Sequence, residues 1–236
     1  AGMKNMGYID KSKAKGFSYS ANDVWAVACK AQRLNKEYIK FVPEDSKKET
    51  NREIMYRLLE EGAKHLTVAD KNEGVKVRQH YQATSFKLLT DSHVSDFEKT
   101  AMEIADKDVI NSKLDVAIIA SLPQSYEKAN IRKSQDQEIA QVITNKTIGK
   151  VKDRVDLRVK VLRSFLSQKW GCYFITAVTE NDEVVFFGSS KIVTKVDEVL
   201  DIRGTVKGYR SDDNGMVTQL NRVQKYDTAD ILTTVN

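Results

Sequence analysis

The sequence predicts an α+β fold in two parts, a helical N-terminal domain followed by a small closed barrel of five strands. Three observations carry that expectation. Up to about residue 126, apolar residues recur at helical spacing behind Ser and Thr caps. From residue 146 onward, short runs alternate apolar and polar residues and are separated by turns. Between them, residues 127–145 are polar and charged, with Lys128, Arg132, Lys133 and several Gln, which suits a linker or an exposed helix.

At 236 residues the chain is long enough for two modest domains, each with its own core. A hydrophobic fraction of 41% and a charged fraction of 30% describe a soluble globular protein. No apolar run approaches the roughly 20 residues that span a bilayer, and no signal-peptide centre opens the chain, so the expected location is the cytoplasm, without a membrane partner. Ala1-Gly2 ahead of Met3 has the look of an expression remnant.

Residues 1–19 are polar and lack apolar periodicity, which predicts a flexible or docked arm carrying Tyr8, Ile9 and Phe17. The helical domain then spans residues 20–126. Ser20-Ala21-Asn22-Asp23 resembles a capping box with Asp in place of Glu, and Val24, Val27, Ala28, Ala31 and Leu34 continue a helix to about Asn35. Tyr38 to Pro43 is aromatic and β-branched, an extended connector or edge segment. Thr50 and Glu53 frame a full capping box before Ile54, Met55, Leu58 and Leu59, with Gly62 placed to end the helix. A third helix is expected from Thr67 through Val77, Tyr81 and Phe86 to Leu89, its first turns weakened by Gly74. Val94, Phe97, Ala101, Met102 and Ile104 mark a fourth. Leu114, Ala117, Ile118 and Leu122 mark a fifth that stops at Pro123.

The barrel is expected over residues 146–227, with a frayed tail at 228–236. Val155 to Val161 alternates branched apolar with charged residues, the period of a half-buried strand. Trp170 to Thr179, Glu183 to Phe187, Val199 to Lys207 and Met216 to Val223 supply four more strands, and Asn214-Gly215 supplies a hairpin turn. Five strands in this order suit an OB-like barrel.

The run Phe186-Phe187-Gly188-Ser189-Ser190-Lys191, the run Asp201 to Tyr209 and the run Val217 to Val223 resemble an OB-like C-terminal domain found in tailed-phage proteins. In those proteins the third strand ends in a Phe-Ser/Gly-Ser-Lys turn and the fourth reads Lys/Arg-Gly-Thr-Val-Lys. The fifth centres on Gln-Thr-x-Leu-x-Arg, which here is transposed as Thr218-Gln219. Ile118 to Tyr126 is similar to the helix-then-proline stretch that precedes that barrel. The resemblance covers about half the chain, and it implies the fold and a bacteriophage replication or host-takeover setting rather than a particular reaction.

Charge points the same way. The net charge is +5 and the pI near 9.0, and residues 146–227 hold 15 Lys and Arg against 11 Asp and Glu, so most of the excess lies in the barrel. A barrel that binds single-stranded DNA or RNA needs flat side chains for stacking and cations for phosphates on one face. The candidates are Trp170, Tyr173, Phe186 and Tyr209 for stacking, and Arg158, Lys160, Arg163, Lys169, Lys191, Lys207 and Arg210 for phosphates. Because neighbours on a strand point to opposite faces, one of Tyr173-Phe174 and one of Phe186-Phe187 should face outward, and Tyr173 and Phe186 are the expected pair.

Other chemistries find less support. His65, His80 and His93 form no His-x-x-x-His pair, no Ser lies in a Gly-x-Ser-x-Gly elbow, and the Arg203 to Gly208 run lacks phosphate-loop spacing. Cys29 and Cys172 are too few for a metal set or a disulfide framework and read as buried thiols. Glu180, Asp182 and Glu183 form the one acidic cluster suited to a metal-dependent nuclease, but they fall where a hairpin must turn. The expectation is therefore a nucleic-acid-binding accessory protein, not an enzyme, with no cofactor and no metal. A phage or host replication protein is a further expected partner. The alternative is a protein-interaction module docking on a host or phage enzyme without binding nucleic acid, and the weaker alternative is the metal-dependent nuclease.

Overall fold

The computed structural model describes residues 17–90 and 93–226. The chain divides into two compact units, Ala1–Asn130 and Ile131–Asn236. The expected arm, with Tyr8 and Ile9, lies outside the described residues except at its end, and so does the tail.

In the first unit, α1 (Ala21–Asn35) is the central element. Ala21, Val24, Trp25, Val27, Ala28, Cys29 and Ala31 are all buried, so more than one face of α1 is covered. α2 (Asn51–Glu60) and α3 (Val68–Gln82) pack against it, followed by α4 (Thr84–Leu89), α5 (Asp96–Ala105) and α6 (Lys113–Ile119). Two short strands, β1 (Tyr19–Ser20) and β2 (Val109–Ile110), pair antiparallel. The capping box of α2 forms as its sequence predicts, with the Glu53 amide donating to Thr50 Oγ1 at 3.2 Å. Thr67 with Asp70 and Ser95 with Glu98 make two further boxes.

The expected box at Ser20 does not form. Ser20 sits opposite Val109 in the two-stranded ladder, and the Ala21 amide donates to the Asp108 carbonyl at 2.9 Å instead. Asn22, the second residue of that helix, accepts from Arg78, whose guanidinium also donates to the carbonyls of Ala105 and Lys107. One arginine thereby ties the start of α1 to the end of α5.

Gly74 has a different meaning from the weakness its helix propensity implies. A Cβ there would come within 2.6 Å of the Ala26 backbone nitrogen, so α3 crosses α1 at a distance that only glycine permits. The single helix expected from Thr67 to Leu89 breaks at Ala83, after which Phe86 and Leu89 are exposed rather than continuing the buried stripe of Val77 and Tyr81. Pro123 starts a helix instead of stopping one: α7 runs Leu122–Val142, and in its first turn the missing proline N–H breaks no helical bond. Residues 127–145 are therefore helical as far as Val142.

In the second unit, β3 (Arg154–Ser167), β4 (Cys172–Thr179), β5 (Val184–Ser189), β6 (Val199–Asp212) and β7 (Gly215–Lys225) close a barrel in the order β3-β4-β5-β7-β6. All neighbours are antiparallel except β5 and β7. The interior is filled by Val159, Val161, Ile175, Ala177, Val185, Phe187, Leu200, Ile202, Val206 and Leu220, one residue in two along each strand. Outside the barrel, Ile143 just after α7 packs with Val184 and Val217. Trp170 belongs to no strand. It lies in the turn between β3 and β4, because β4 begins only at Cys172. Asn214 lies in the tight turn from β6 to β7 as its Asn-Gly pair predicts, with Asp212 opposite Gly215.

Candidate functional site

The alternation of β4 puts Ile175 and Ala177 inside the barrel and Phe174 and Thr176 outside. On β5, Val185 and Phe187 point in and Phe186 points out. The Phe174 and Phe186 rings stack with centroids 5.9 Å apart and planes 7° from parallel. Gly188 is the register partner of Phe174, and a Cβ on it would lie 3.3 Å from the Phe174 ring. A side chain at Gly188 would crowd the edge of that ring, so the glycine leaves it room.

The row continues to both sides. Phe165 of β3 stands opposite Phe174, so the two share a face, and Phe165 is 53% exposed. On the other side Phe186 has Gln219 of β7 as its partner, while the Arg210 guanidinium lies 5.3 Å from the Phe186 ring centroid. A cavity of about 250 Å³ opens here, lined by Phe174, Phe186, Lys207, Gln219, Asn221 and Arg222 among others.

Several cations of the barrel are held by carboxylates. Arg158 binds both oxygens of Asp201 at 2.9 and 3.1 Å, Arg203 binds both oxygens of Asp156 at 2.5 and 2.8 Å, and Lys160 lies 3.4 Å from Asp197. Arg163 is engaged by Asp136 and Gln135 of α7. The arginine hydrogen bonds hold the Asp156 and Asp201 carboxyls below the usual carboxylate range. Lys207, Arg210 and Arg222, by contrast, have no carboxylate within ion-pair distance among the described residues. Three cations without an ion-pair partner among the described residues thus lie beside the stacked rings, as Lys169 and Lys191 do elsewhere on the barrel.

Of the residues the sequence singled out, Phe186, Lys207 and Arg210 meet at this face. Arg158, Lys160 and Arg163 do not, since each is held by a carboxylate elsewhere. Tyr173 is turned the other way and packs against the barrel core, which corrects the expectation that it faces outward. Cys172 to Val178 offers almost no polar residue to mark its outer face, so its register is not legible in composition. Tyr209 donates its hydroxyl to the Gly149 carbonyl at 2.5 Å, a structural bond between β6 and the segment before β3. Lys169 covers the ring of Trp170 at 5.3 Å at the hairpin end, and Lys191 is exposed in the loop after β5. Phe174, Gln219, Asn221 and Arg222 were missed. The available signal was Gly188, a glycine within an aromatic strand.

Elsewhere, Glu183 accepts from the Thr179 hydroxyl at 2.8 Å within the β4–β5 turn, and no group of three or more His, Cys, Asp or Glu poised for a metal ion occurs among the described residues. Burial pushes the Cys29 thiol up to about 12. No helix among the described residues is long and apolar enough to cross a membrane. In comparisons with known proteins, the chain matches no family model, no curated protein and no solved structure.

Proposed function

We propose that this protein binds single-stranded nucleic acid on the outer face of its barrel, and that the barrel is of the OB type. The strand order β3-β4-β5-β7-β6 with one parallel pair supports the second statement. The observation that carries the first is the stacked Phe174–Phe186 pair beside Lys207, Arg210 and Arg222, cations with no carboxylate at ion-pair distance among the described residues. Flat apolar rings take the faces of unpaired bases, which are accessible only when the strand is single. Adjacent cations take the phosphates, and a groove open to solvent lets the chain of nucleotides run through. The resemblance of Phe186 to Val223 to barrel domains of phage proteins supports the same reading and a replication setting.

A second reading, docking on a protein partner, draws on Phe86, Leu89 and Phe97, which are 70%, 83% and 46% exposed on the helical unit. Binding of a fluorescent single strand to the full chain at two salt concentrations decides between them. Phosphate contacts make affinity fall steeply with salt. Absent or salt-insensitive binding removes the nucleic-acid reading.

A further inference from the structure

Gln219 and Asn221 flank inward-facing Leu220 on β7, and both line the cavity beside the Phe174 and Phe186 rings. Two positions apart on one strand, they stand roughly 7 Å from each other on the same face. Among the described residues neither side-chain amide has a hydrogen-bond partner. Gln219 is the register partner of Phe186, so its amide sits at the edge of the surface on which a base would stack. Stacking alone is indifferent to sequence, because every base has a π face. Two free amides at the rim of a stacking platform are not indifferent.

We infer that Gln219 and Asn221 read the edge of one base held in this groove and make it prefer adenine over the pyrimidines. The inference rests on the single-strand reading proposed above. A side-chain amide presents one acceptor and one donor side by side, and pairs in two-point fashion with a donor next to an acceptor. Adenine carries such a pair on both its Watson–Crick edge, N6 with N1, and its Hoogsteen edge, N6 with N7. Its N6 has two hydrogens, one for each amide carbonyl. Cytosine has one such pair, thymine has a single N3 hydrogen to share, and guanine's Hoogsteen edge offers two acceptors. Of the four, adenine alone satisfies two amides from those two edges at once. The cavity of about 250 Å³ lies below the usual range of small-molecule sites, and the inference concerns a single base and its nucleotide. Lys207 and Arg222, in the same lining, supply charge for its phosphate.

The test is the binding of fluorescein-labelled oligo(dA), oligo(dC) and oligo(dT) of equal length to the full chain at one salt concentration, followed by anisotropy. Oligo(dA) is expected to bind at least about fivefold more tightly than either pyrimidine strand. Gln219→Leu keeps the size of the side chain and removes its amide. It should bring the three affinities together, chiefly by weakening the binding of oligo(dA). Asn221→Ala, at an exposed position, repeats the test where folding is not at risk, with thermal melting as the check on both. Phe174→Leu with Phe186→Leu should weaken all three strands alike. Equal binding of the three strands by the unaltered protein overturns the inference and leaves the single-strand reading standing. A preference for a pyrimidine, or an adenine preference that survives in both amide variants, overturns it too. No binding of any strand removes both.

Discussion

The Phe174 and Phe186 rings lie 7° from parallel on the outside of the barrel, on adjacent strands, with glycine at the position opposite Phe174. An aromatic on a strand usually stands away from the sheet or packs into a core. Here the absent Cβ of Gly188 leaves room for the edge of the Phe174 ring, and Phe186, half-buried against Ile143, Val184 and Val217, has Arg210 beside it. This is the geometry from which the proposed function follows, and the proposal separates Lys207 and Arg222, expected to contact phosphate, from Arg158 and Arg203, each held by an aspartate.

That separation is measurable. Replacing Lys207 or Arg222 by Ala should reduce the salt slope of oligonucleotide binding by about one unit each. Arg158→Ala should leave the slope unchanged, because Asp201 already holds that guanidinium through two hydrogen bonds. Equal slopes for all three variants would show that phosphate contacts are spread over the surface rather than gathered at the groove.

Gly74→Ala should destabilise the helical unit, although alanine is the better helix former. The gain in propensity is about 1 kcal/mol. The added Cβ meets the backbone of α1 at 2.6 Å, and such overpacking costs typically 1 to 3 kcal/mol and sometimes more. Urea unfolding followed by far-ultraviolet circular dichroism reads the sign directly, and an unchanged or raised midpoint would show that the two helices are not locked at this crossing.

Asp70 gives the helical unit a defined acid sensitivity. Burial alone would raise its carboxyl, but the Thr67 amide and hydroxyl and the Arg33 guanidinium at 2.6 Å together hold it below the ordinary value. A carboxyl lowered in the folded state contributes stability that is fully present above its unfolded value of about 4 and is lost as pH falls through the folded value. The urea midpoint should therefore drop on acidification below about pH 4, and Asp70→Asn should remove that part of the drop while lowering stability at neutral pH.

Much of the fold was legible because its signals are local. Thr50 with Glu53 names a helix start, Val155 to Val161 names a strand, and Asn214-Gly215 names a turn, each within a few residues. What was not legible depends on distant partners. Ser20 looks like a cap until Val109 arrives to pair with it, Gly74 looks like a flaw until α1 crosses it, and Pro123 reads as a stop or a start depending on whether the chain continues as helix. The site follows the same rule. Phe186, Lys207 and Arg210 could be singled out by residue type, but Phe174 could not be told from Tyr173 without the register that sets Ile175 opposite Phe187. Nor does composition reveal that Arg158, Lys160 and Arg163 are occupied by acids far along the chain.

The most direct test replaces both rings of the stacked pair. With Phe174→Leu and Phe186→Leu the outer face stays apolar but loses its flat surfaces, and thermal melting verifies that the barrel is intact. Affinity of the full chain for a mixed-sequence single strand should fall by about 1 to 3 kcal/mol per stacked base at both low and high salt, with the salt slope unchanged. The same affinity as the unaltered protein, at either salt concentration, would contradict the placement of the binding site on this face.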